Sequence, residues 1–463
     1  MKNYDLIVVG GGPGGYVSAI RAAKEGLIVA LITGDDIGGT CLNRGCIPSK
    51  TFLKHAELIE QIQNSKQLGI EINEFTYSIE YMVKRKNQVV KALKNGVNGL
   101  MEQNKIDVYQ GNGYVNENKS VIIKSSTSSE TIQGKHIILA NGSKPFVPNI
   151  PGISDITYET SDTIFDIEKV PKHMVIVGGG AIGLEIACIF SSLGTSIEVV
   201  EMAKDILPNE DQEASSYLKK ELENKNITIR TNSKITRFVS KDNKQVVQIE
   251  AADKSTDSIE TDCILLATGR TPNLTGLENI KVDFDDGFLK VGKNMRTSIK
   301  NIYAIGDLIG GFQLAHAASS EGISVINHIV GKRSNNSLEE KTIPRCVYTF
   351  PEVASVGLTE IQAKEAGYEV KVKTTPLTSN AKAITANETS GFMKLIAEKQ
   401  YGEILGVVMV GANTTEMISQ ASAFMHLEGT IEELDSMVFP HPTLSENLGE
   451  IGSTWMDLGI HYT

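Results

Sequence analysis

The sequence contains few cysteines and no long hydrophobic run. Its 463 residues include only five cysteines, too few for the disulfide framework of a secreted domain. No segment reaches the roughly 18 consecutive apolar residues that a membrane-spanning helix requires. Residues 1–5 lead directly into an apolar strand and leave no room for a signal peptide or transit sequence. We therefore expect a cytoplasmic protein with no membrane segment.

The sequence also lacks a basic excess. It carries 45 lysines and arginines against 56 aspartates and glutamates, a formal net charge of −11. This balance argues against a nucleic-acid partner and says nothing specific about the substrate. The chain is too long for one hydrophobic core, and a typical size of roughly 150 residues per domain indicates about three structural units.

Two segments of the chain share one pattern of elements. In the first, an apolar strand over residues 6–9 ends at glycines, a helix follows to residue 25, and a second apolar strand covers 28–32. The same order recurs over residues 174–200. Each segment is therefore predicted to be a β-α-β unit. The predicted fold class is α/β, with two Rossmann-like dinucleotide-binding domains.

Each unit carries a glycine motif between its first strand and its helix, which is the context that a dinucleotide fingerprint requires. Glycines there permit a tight turn and close approach of a pyrophosphate, and the helix N-terminus supplies partial positive charge. We predict a tightly bound flavin in one site and a visiting nicotinamide in the other. The motif glycines are Gly10, Gly12 and Gly15 in the first unit and Gly178, Gly180 and Gly183 in the second.

The residue after the second strand differs between the two units. Glu201 occupies this position in the second unit, where a carboxylate accepts hydrogen bonds from a ribose 2′-hydroxyl and repels a 2′-phosphate. The second site is therefore expected to prefer NAD(H) over NADP(H). The first unit has Thr33 there, so the usual carboxylate is absent. Asp35 or Asp36 is a candidate to replace it, although two acids beside a glycine are also ordinary turn residues.

Two cysteines five residues apart, Cys41 and Cys46, give the most informative chemical signal. In a regular helix such a pair has Cα atoms roughly 8 to 9 Å apart, beyond the roughly 7 Å limit for a disulfide. The chain must therefore bend between them, at Gly45, with Pro48 suited to the first turn of the following helix. The dipole of that helix and the nearby Arg44 are expected to lower the pKa of the Cys46 thiol. The pair indicates a redox dithiol, with a structural disulfide or two unrelated cysteines as alternatives.

Five further residues are candidates for supporting this chemistry. Lys50 shares a helix with the dithiol loop and is expected to reach the flavin edge, and Glu185 is expected to pair with it. Asp307 ends a strand and is a candidate to accept from a ribityl hydroxyl. His441, five residues before Glu446, is a candidate base for the incoming thiol. The alternatives are that Lys50 and Glu185 are solvated helix charges, that Asp307 belongs to an ordinary turn, and that His441 lies in an ordinary loop.

The segment 38–50, taken with the two fingerprints, resembles the pyridine nucleotide-disulfide oxidoreductases, and most closely the dihydrolipoamide dehydrogenases among them. The likeness spans the whole chain. It implies FAD and NAD as cofactors, Cys41 as the thiol that exchanges with substrate, and Cys46 as the thiolate that contacts the flavin. It also implies an obligate homodimer in which His441 and Glu446 serve the active site of the other subunit.

The resemblance assigns roles to further residues. Lys50 and Glu185 match an ion pair beside the flavin, and Asp307 matches a ribityl contact. Ala315 and His316 fall in a segment that passes beneath the isoalloxazine. The remaining residues expected at the cofactor sites are Gly142 and Gly269. Three positions depart from the family's pattern, namely Thr33, Asn141 and Arg44, the last of which is often valine.

The resemblance gives the domain order as FAD, NAD, central and interface. The first domain is expected to contain the dithiol, the central domain to complete the FAD site, and the last to be an α+β dimerisation domain. Their predicted ranges are 1–145, 146–272, 273–342 and 343–463.

The implied activity is oxidation of protein-bound dihydrolipoamide to lipoamide, with reduction of NAD+ to NADH. The partners are expected to be lipoyl domains of a 2-oxo acid, acetoin or glycine-cleavage complex. Mercuric reductases end in a cysteine pair, but no cysteine follows Cys346. Glutathione reductases use arginines for NADPH that are absent around Glu201, and soluble transhydrogenases lack the dithiol. The alternative from another class is a flavin-binding sensor or assembly component without turnover, and no metal site is predicted.

Overall fold

The computed structural model describes residues 1–34, 36–241, 244–332 and 340–462. The candidate Asp35 lies outside the described residues. None of the described helices is long and apolar enough to cross a membrane. The α-helices are Pro13–Lys24, Gly39–Asn43, Cys46–Asn64, Ile79–Gln103, Ala181–Ser192, Gln212–Asn224, Ala315–Ile329, Glu360–Glu365, Ala381–Ala386, Thr414–His426, Ile431–Ser436 and Glu446–Trp455.

The first sheet contains seven strands. Its centre is parallel, and one of its edges is an antiparallel pair of strands. A late strand, Ile302–Ala304, pairs in parallel with Ser129–Leu139 and so joins this sheet from far along the chain. The order is Asp107–Gln110, Val29–Thr33, Lys2–Val9, Ser129–Leu139, Ser120–Lys124 and Asn112–Val115.

The second sheet repeats the parallel arrangement with five strands. A separate antiparallel sheet of three strands lies in sequence between the fourth and fifth strands of this parallel sheet. The parallel order is Ile227–Arg230, Ser196–Val200, His173–Val177, Cys263–Leu266 and Glu159–Thr160, and the antiparallel strands are Ser233–Lys241, Lys244–Ala251 and Thr256–Thr261.

The third sheet is antiparallel throughout and is covered by helices, including Thr414–His426 and Glu446–Trp455. The last helix begins at Glu446, and in the turn before it the Thr443 N–H donates to the Glu446 carboxylate. The strand order is Arg345–Val347, Glu352–Gly357, Ile404–Gly411, Phe392–Glu398 and Val370–Pro376. The α/β fold class with an α+β C-terminal unit is confirmed.

Two short strands connect the first two units. Ser143–Pro145 leads out of the first unit, and Arg270–Pro272 leads out of the second. They pair antiparallel, so the two connections between the units lie side by side. The remaining short pair is Phe284–Asp285 with Phe288–Leu289. The domain boundaries proposed from the sequence stay predictions.

One hydrophobic cluster crosses all three units. It joins Phe52 and Ala56 of the helix after the dithiol loop to Leu184 and Cys188 of the second unit, and it continues to Val347 of the third sheet. Burial of apolar surface therefore stabilises the contacts between the units as well as each unit itself. It also holds the helix Cys46–Asn64 against the helix Ala181–Ser192.

A buried ion pair provides a second link between the units. Lys394 of the third sheet lies 3.1 Å from a carboxylate oxygen of Asp211, and both side chains are less than a tenth exposed. Asp211 also caps the helix Gln212–Asn224, where it accepts hydrogen bonds from two backbone N–H groups. Glu213 lies 3.3 Å from the same ammonium group.

Replacing this lysine should destabilise the protein. In Lys394→Met, Asp211 keeps its buried charge without its cation, which costs about 3 to 5 kcal/mol. The midpoint of thermal unfolding should fall accordingly. The matched variant Lys244→Met removes an exposed lysine that pairs with the exposed Glu260, and should leave the midpoint unchanged. Equal midpoints for the two variants would contradict a stabilising role for the buried pair.

Candidate active site

A cavity of about 640 Å³ lies beside the carboxyl ends of the first sheet's parallel strands. This is the usual place for ligands in open α/β sheets, and the volume is in the range of small-molecule sites. The predicted residues that line it are Gly10, Gly12, Thr33, Cys41, Cys46, Lys50, Gly142, Glu185, Asp307 and Ala315. Those predicted residues that lie outside its lining are Gly15, Gly178, Gly180, Gly183, Glu201, Gly269, His441 and Glu446.

The first glycine motif forms a backbone cradle at one end of this cavity. Gly10 has a φ of +115°, and a Cβ atom there would lie 2.0 Å from the Ala140 carbonyl oxygen. A Cβ on Gly15 would lie 1.8 Å from the Gly10 carbonyl oxygen, so the helix packs directly on the turn. Gly12 precedes the helix Pro13–Lys24 and faces open space. The arrangement leaves backbone N–H groups free for a pyrophosphate.

The chain bends between the two cysteines as the spacing predicts. The N–H groups of Arg44 and Gly45 both donate to the Thr40 carbonyl oxygen, at 2.9 and 2.7 Å, and end the short helix that contains Cys41. A new helix then begins at Cys46 itself rather than just after it. Its first turn contains Pro48. Both cysteines are free thiols in this structure.

The two thiols differ strongly in acidity. A hydrogen bond from the Cys41 thiol, opposed by burial and assisted by the charge of Lys50, lowers the pKa of Cys46 to about 7. The same hydrogen bond, together with burial, raises the pKa of Cys41 well above its ordinary value. The pair therefore carries one thiolate near neutral pH, and it is located on Cys46. The cation with the largest effect on the pKa of Cys46 is Lys50, and Arg44, which was expected to contribute, pairs with Asp162.

Lys50 and Glu185 form the predicted ion pair. The Lys50 ammonium lies 2.8 and 3.0 Å from the two carboxylate oxygens, and the Glu185 side chain is 8% exposed. Two residues that sequence reasoning missed complete the pair. Ser49 donates its hydroxyl to Glu185 at 2.8 Å. Tyr348 donates its backbone N–H to Glu185 at 3.1 Å, and its ring centre lies 4.1 Å from the Lys50 ammonium, a cation–π contact.

Asp307 follows Glu185 by more than a hundred residues in the sequence, yet it lines the same cavity. It accepts a hydrogen bond of 2.5 Å from the Ser143 hydroxyl. Arg270, which directly follows the candidate Gly269, lies 3.9 Å from Asp307. Sequence reasoning missed both Ser143 and Arg270. His316, beside the cavity-lining Ala315, contacts the Pro344 carbonyl oxygen at 2.9 Å and does not line the cavity.

The second strand of the first unit ends at Thr33, where the usual carboxylate is absent, and this position has an unusual environment. Thr33 is buried, and its hydroxyl has no hydrogen-bond partner within the described part of the chain. Asp36 lines the cavity and forms an ion pair with Lys94. Asp36, one of the two acids considered as replacements for the missing carboxylate, is thus next to the site. Asn141, which also departs from the family's pattern, donates its side-chain amide to the Thr275 carbonyl oxygen.

The second unit presents its own strand-end acid. The Glu201 carboxylate accepts hydrogen bonds from the N–H groups of Gly179 at 2.6 Å and Ala203 at 2.7 Å. These bonds hold the carboxylate beside the second glycine motif, where Gly183 packs directly on Gly178 as in the first unit.

His441 and Glu446 form a close pair away from the thiols of the same chain. The His441 Nδ1 atom lies 2.8 Å from a Glu446 oxygen, and the imidazole is 72% exposed. Burial opposes ionisation of Glu446, but hydrogen bonds from the Thr443 N–H and from His441 outweigh it and lower the pKa of Glu446. The carboxylate is therefore an anion that orients the imidazole.

Comparisons with known proteins decide the family. Residues 4–322 match the pyridine nucleotide-disulphide oxidoreductase model, and residues 343–451 match the dimerisation domain of the same family. The chain belongs to this family. It is 38% identical to a dihydrolipoyl dehydrogenase of Bacillus subtilis, with 99% of each chain covered, and 37% identical to one of Zymomonas mobilis, with 97% of each covered. The family assignment made from the sequence is confirmed.

A solved structure agrees with the fold. The HOCl-induced flavoprotein disulfide reductase RclA from Escherichia coli matches with a TM-score of 0.86 at 28% identity, over 97% of this chain and 99% of that one. Together the comparisons identify the chain as a flavoprotein disulfide oxidoreductase that uses a pyridine nucleotide. The residues present fit a flavin dinucleotide, because the glycine cradle opens into the cavity that also contains both thiols.

The hydrogen bond between the thiols can be tested by titration. In the reduced protein, alkylation of Cys46 by iodoacetamide should reach half its maximal rate near pH 7, because the thiolate is the nucleophile. Cys41→Ala removes the hydrogen bond and should move this midpoint to higher pH. Cys263→Ala is the control, since burial raises the pKa of Cys263 to about 12. An unchanged midpoint in Cys41→Ala would refute the proposed origin of the acidity.

Proposed function

We propose that this protein is an FAD- and NAD-dependent dihydrolipoyl dehydrogenase, which oxidises protein-bound dihydrolipoamide and reduces NAD+. The observation that carries the proposal is the position of Cys41 and Cys46 in the same cavity as the glycine cradle and the Lys50–Glu185 pair. A dithiol beside a flavin site can pass two electrons from a substrate dithiol to a dinucleotide. The dihydrolipoyl dehydrogenases aligned over nearly the whole chain support this substrate.

The chemistry at the thiols follows from their unequal acidity. A substrate thiolate attacks Cys41 of the oxidised pair, the Cys41–Cys46 bond breaks, and Cys46 leaves as a thiolate. Its lowered pKa makes it the better leaving group. The second substrate thiolate then attacks the substrate sulfur bound to Cys41, which closes the substrate disulfide and releases Cys41. Cys41, whose pKa is raised, takes up a proton.

His441 is the proposed base for the substrate thiols. Because the pair with Glu446 is exposed and remote from the thiols of its own chain, a second copy of the chain must bring it to the cavity. The match of residues 343–451 to a dimerisation domain supports a homodimer. Glu446 orients the imidazole, which accepts the proton as the substrate thiol becomes a nucleophile. The proposed macromolecular partner is a lipoyl domain of a 2-oxo acid, acetoin or glycine-cleavage complex.

The cofactor contacts are assigned by position. Gly10, Gly12 and Gly15 with the helix N-terminus would hold the FAD pyrophosphate, and Asp307 would accept from a ribityl hydroxyl. Lys50 would place its cation beside the isoalloxazine. When bound, FAD accepts two electrons from the dithiol and delivers them to NAD+. The other residues assigned to the FAD site are Thr33, Gly142 and Ala315, and Gly269 is assigned to the nucleotide site of the second unit.

The second glycine motif and Glu201 would bind NAD+. The two backbone hydrogen bonds orient the Glu201 carboxylate, which can then accept from both hydroxyls of an adenosine ribose. A 2′-phosphate at the same place would meet a fixed negative charge. The other proposed contacts are Gly178, Gly180 and Gly183.

The decisive experiment is an anaerobic titration of the holoenzyme with dihydrolipoamide, followed by absorbance. One equivalent of dihydrolipoamide should reduce the Cys41–Cys46 disulfide and produce a long-wavelength band between the Cys46 thiolate and the oxidised flavin. Added NAD+ should restore the spectrum of the oxidised enzyme much faster than NADP+. In Cys46→Ser the flavin should stay bound, but the band and turnover should be lost. A protein that binds no flavin, or one that oxidises dihydrolipoamide without Cys46, would refute the proposal.

The role of His441 can be separated from that of the nicotinamide site. His441→Gln should slow reduction by dihydrolipoamide about 10²- to 10⁴-fold, the usual effect of losing general-base help. Reduction by NADH should change little. His461→Gln is a matched control, because His461 is an equally exposed histidine paired with a carboxylate, Glu450. Equal slowing of both half-reactions in His441→Gln would argue against the role.

Cofactor choice should depend on Glu201. Glu201→Ala removes charged hydrogen bonds to the ribose, each worth about 1.5 to 3 kcal/mol, so KM for NAD+ should rise about tenfold or more. KM for NADP+ should stay the same or fall, because the repulsion is lost. Glu223→Ala, an exposed helix residue of the same unit, should alter neither value. A parallel rise of both values would show that Glu201 does not select between the nucleotides.

A further inference from the structure

Arg44 stands between the two redox cysteines in the sequence, and its guanidinium pairs with a carboxylate outside the dithiol loop. Its Nε atom lies 3.6 Å from a carboxylate oxygen of Asp162, and the Arg44 side chain is 41% exposed. Both residues line the cavity that contains the thiols. Arg44 thus links the dithiol loop to a residue that lies more than a hundred positions later in the chain.

Asp162 is itself held by a well-anchored cation. The Arg270 Nη1 atom lies 3.3 Å from the other Asp162 oxygen, and the Arg270 side chain is 12% exposed. Arg270 also donates to the Ser143 hydroxyl at 2.7 Å and to the Ser143 carbonyl oxygen at 3.0 Å. Because several acceptors fix the planar guanidinium, Asp162 has little freedom to move.

The same residues reach the far side of the cavity. Ser143 donates to Asp307 at 2.5 Å, and Arg270 lies 3.9 Å from it. Charges of alternating sign therefore run from Arg44 through Asp162 and Arg270 to Asp307. The last of these is the residue assigned to the ribityl chain. Ser143 and Arg270 begin the two paired strands that connect the first and second units.

We propose that Arg44 is a positioning residue for the redox dithiol. Through Asp162, it fastens the loop between Cys41 and Cys46 to the paired strands at Ser143 and Arg270. The inference deepens the proposed function, because it assumes that the two cysteines react beside the flavin. Within the loop, the bend is held by the bonds to the Thr40 carbonyl oxygen and by the Asn43 side-chain amide, which donates to the carbonyl oxygens of Ile37 and Gly39. The Arg44–Asp162 pair adds an anchor outside this segment, which restricts how the two sulfurs face each other.

The test measures thiolate geometry in the holoenzyme reduced by one two-electron equivalent of dithionite, which bypasses the lipoamide reaction and leaves the flavin oxidised beside the dithiol. The amplitude of the long-wavelength thiolate–flavin band, and its pH midpoint, report on Cys46. In Arg44→Met the amplitude at neutral pH should fall about two- to fivefold, the range expected for one partly exposed ion pair. The midpoint should rise, because a looser loop weakens the hydrogen bond from Cys41. The other groups that face Cys46, Lys50 and Glu185, are unchanged in this variant.

Two further variants separate this role from a general loss of structure. Arg44→Lys keeps the cation and should recover most of the band. Asp162→Asn should reproduce the loss, and the double variant Arg44→Met with Asp162→Asn should be no worse than Asp162→Asn alone, because both act through one contact. Lys54→Met, which removes an exposed lysine on the same helix that carries Cys46, is the matched control and should behave as the unaltered protein.

The outcomes distinguish this inference from the proposed function. A normal band in both Arg44→Met and Asp162→Asn, or additive losses in the double variant, would overturn the positioning role while leaving the proposed function intact. Absence of the band from the unaltered reduced holoenzyme would overturn the proposed function, and the positioning role with it. Loss of the band in Lys54→Met as well would also overturn the specific role of Arg44.

Discussion

The site depends on a single carboxylate, that of Glu185, which lies where the three units of the chain meet. Its side chain is 8% exposed and accepts hydrogen bonds from Ser49 and Lys50 of the first unit and from the Tyr348 N–H beside the third sheet. A buried carboxylate without hydrogen-bond partners would destabilise the fold. The first and third units supply these partners to the carboxylate of the second unit. The hydrophobic cluster around Phe52 and Leu184 provides most of the attraction, and the carboxylate determines the alignment.

This alignment has a direct chemical consequence. Lys50 is held between the Glu185 carboxylate and the face of the Tyr348 ring, so its position is defined from two sides. From there its charge helps to lower the pKa of Cys46 while the hydrogen bond from Cys41 makes the larger contribution. Two adjacent thiolates would repel each other, and the structure resolves this by keeping the proton on Cys41. The hydrogen bond from Cys41 thus determines which sulfur carries the charge, and packing between the units places the cation that assists it.

Features that depend on neighbouring residues could be predicted from the sequence. The two β-α-β units, the bend at Gly45 and the pairing of His441 with Glu446 each involve a short segment, whose glycines, apolar period and spacing carry enough information. The parts that sequence reasoning missed are contacts between distant segments. Tyr348 meets Lys50 through the packing of the third sheet, and no local pattern marks it.

Arg44 is a second example of a contact between distant segments that the sequence did not predict. Its place beside the cysteines suggests an electrostatic effect on the thiols, because residues close in sequence are easily taken to be partners. Its actual partner, Asp162, belongs to the segment between the paired connecting strands, and the pairing depends on how the second unit sits on the first. Side-chain direction, and not sequence distance, decides which charge a long side chain meets.

The two dinucleotide units share one backbone arrangement but differ in the charge at the end of the second strand. Val9 pairs with Ile32 and Val177 pairs with Val200, so Thr33 and Glu201 are each the first residue beyond an equivalent strand pair. In the second unit, two backbone N–H groups hold a carboxylate at this point.

In the first unit the same point is uncharged and buried, and the cavity-lining acid Asp36 forms an ion pair with Lys94. A fixed anion suits a ligand that must be selected by its ribose hydroxyls each time it binds. A ligand that stays bound can instead be retained by the cradle at Gly10 and by Asp307 at the other end of the cavity, so the first unit has less need of an acid at its strand end.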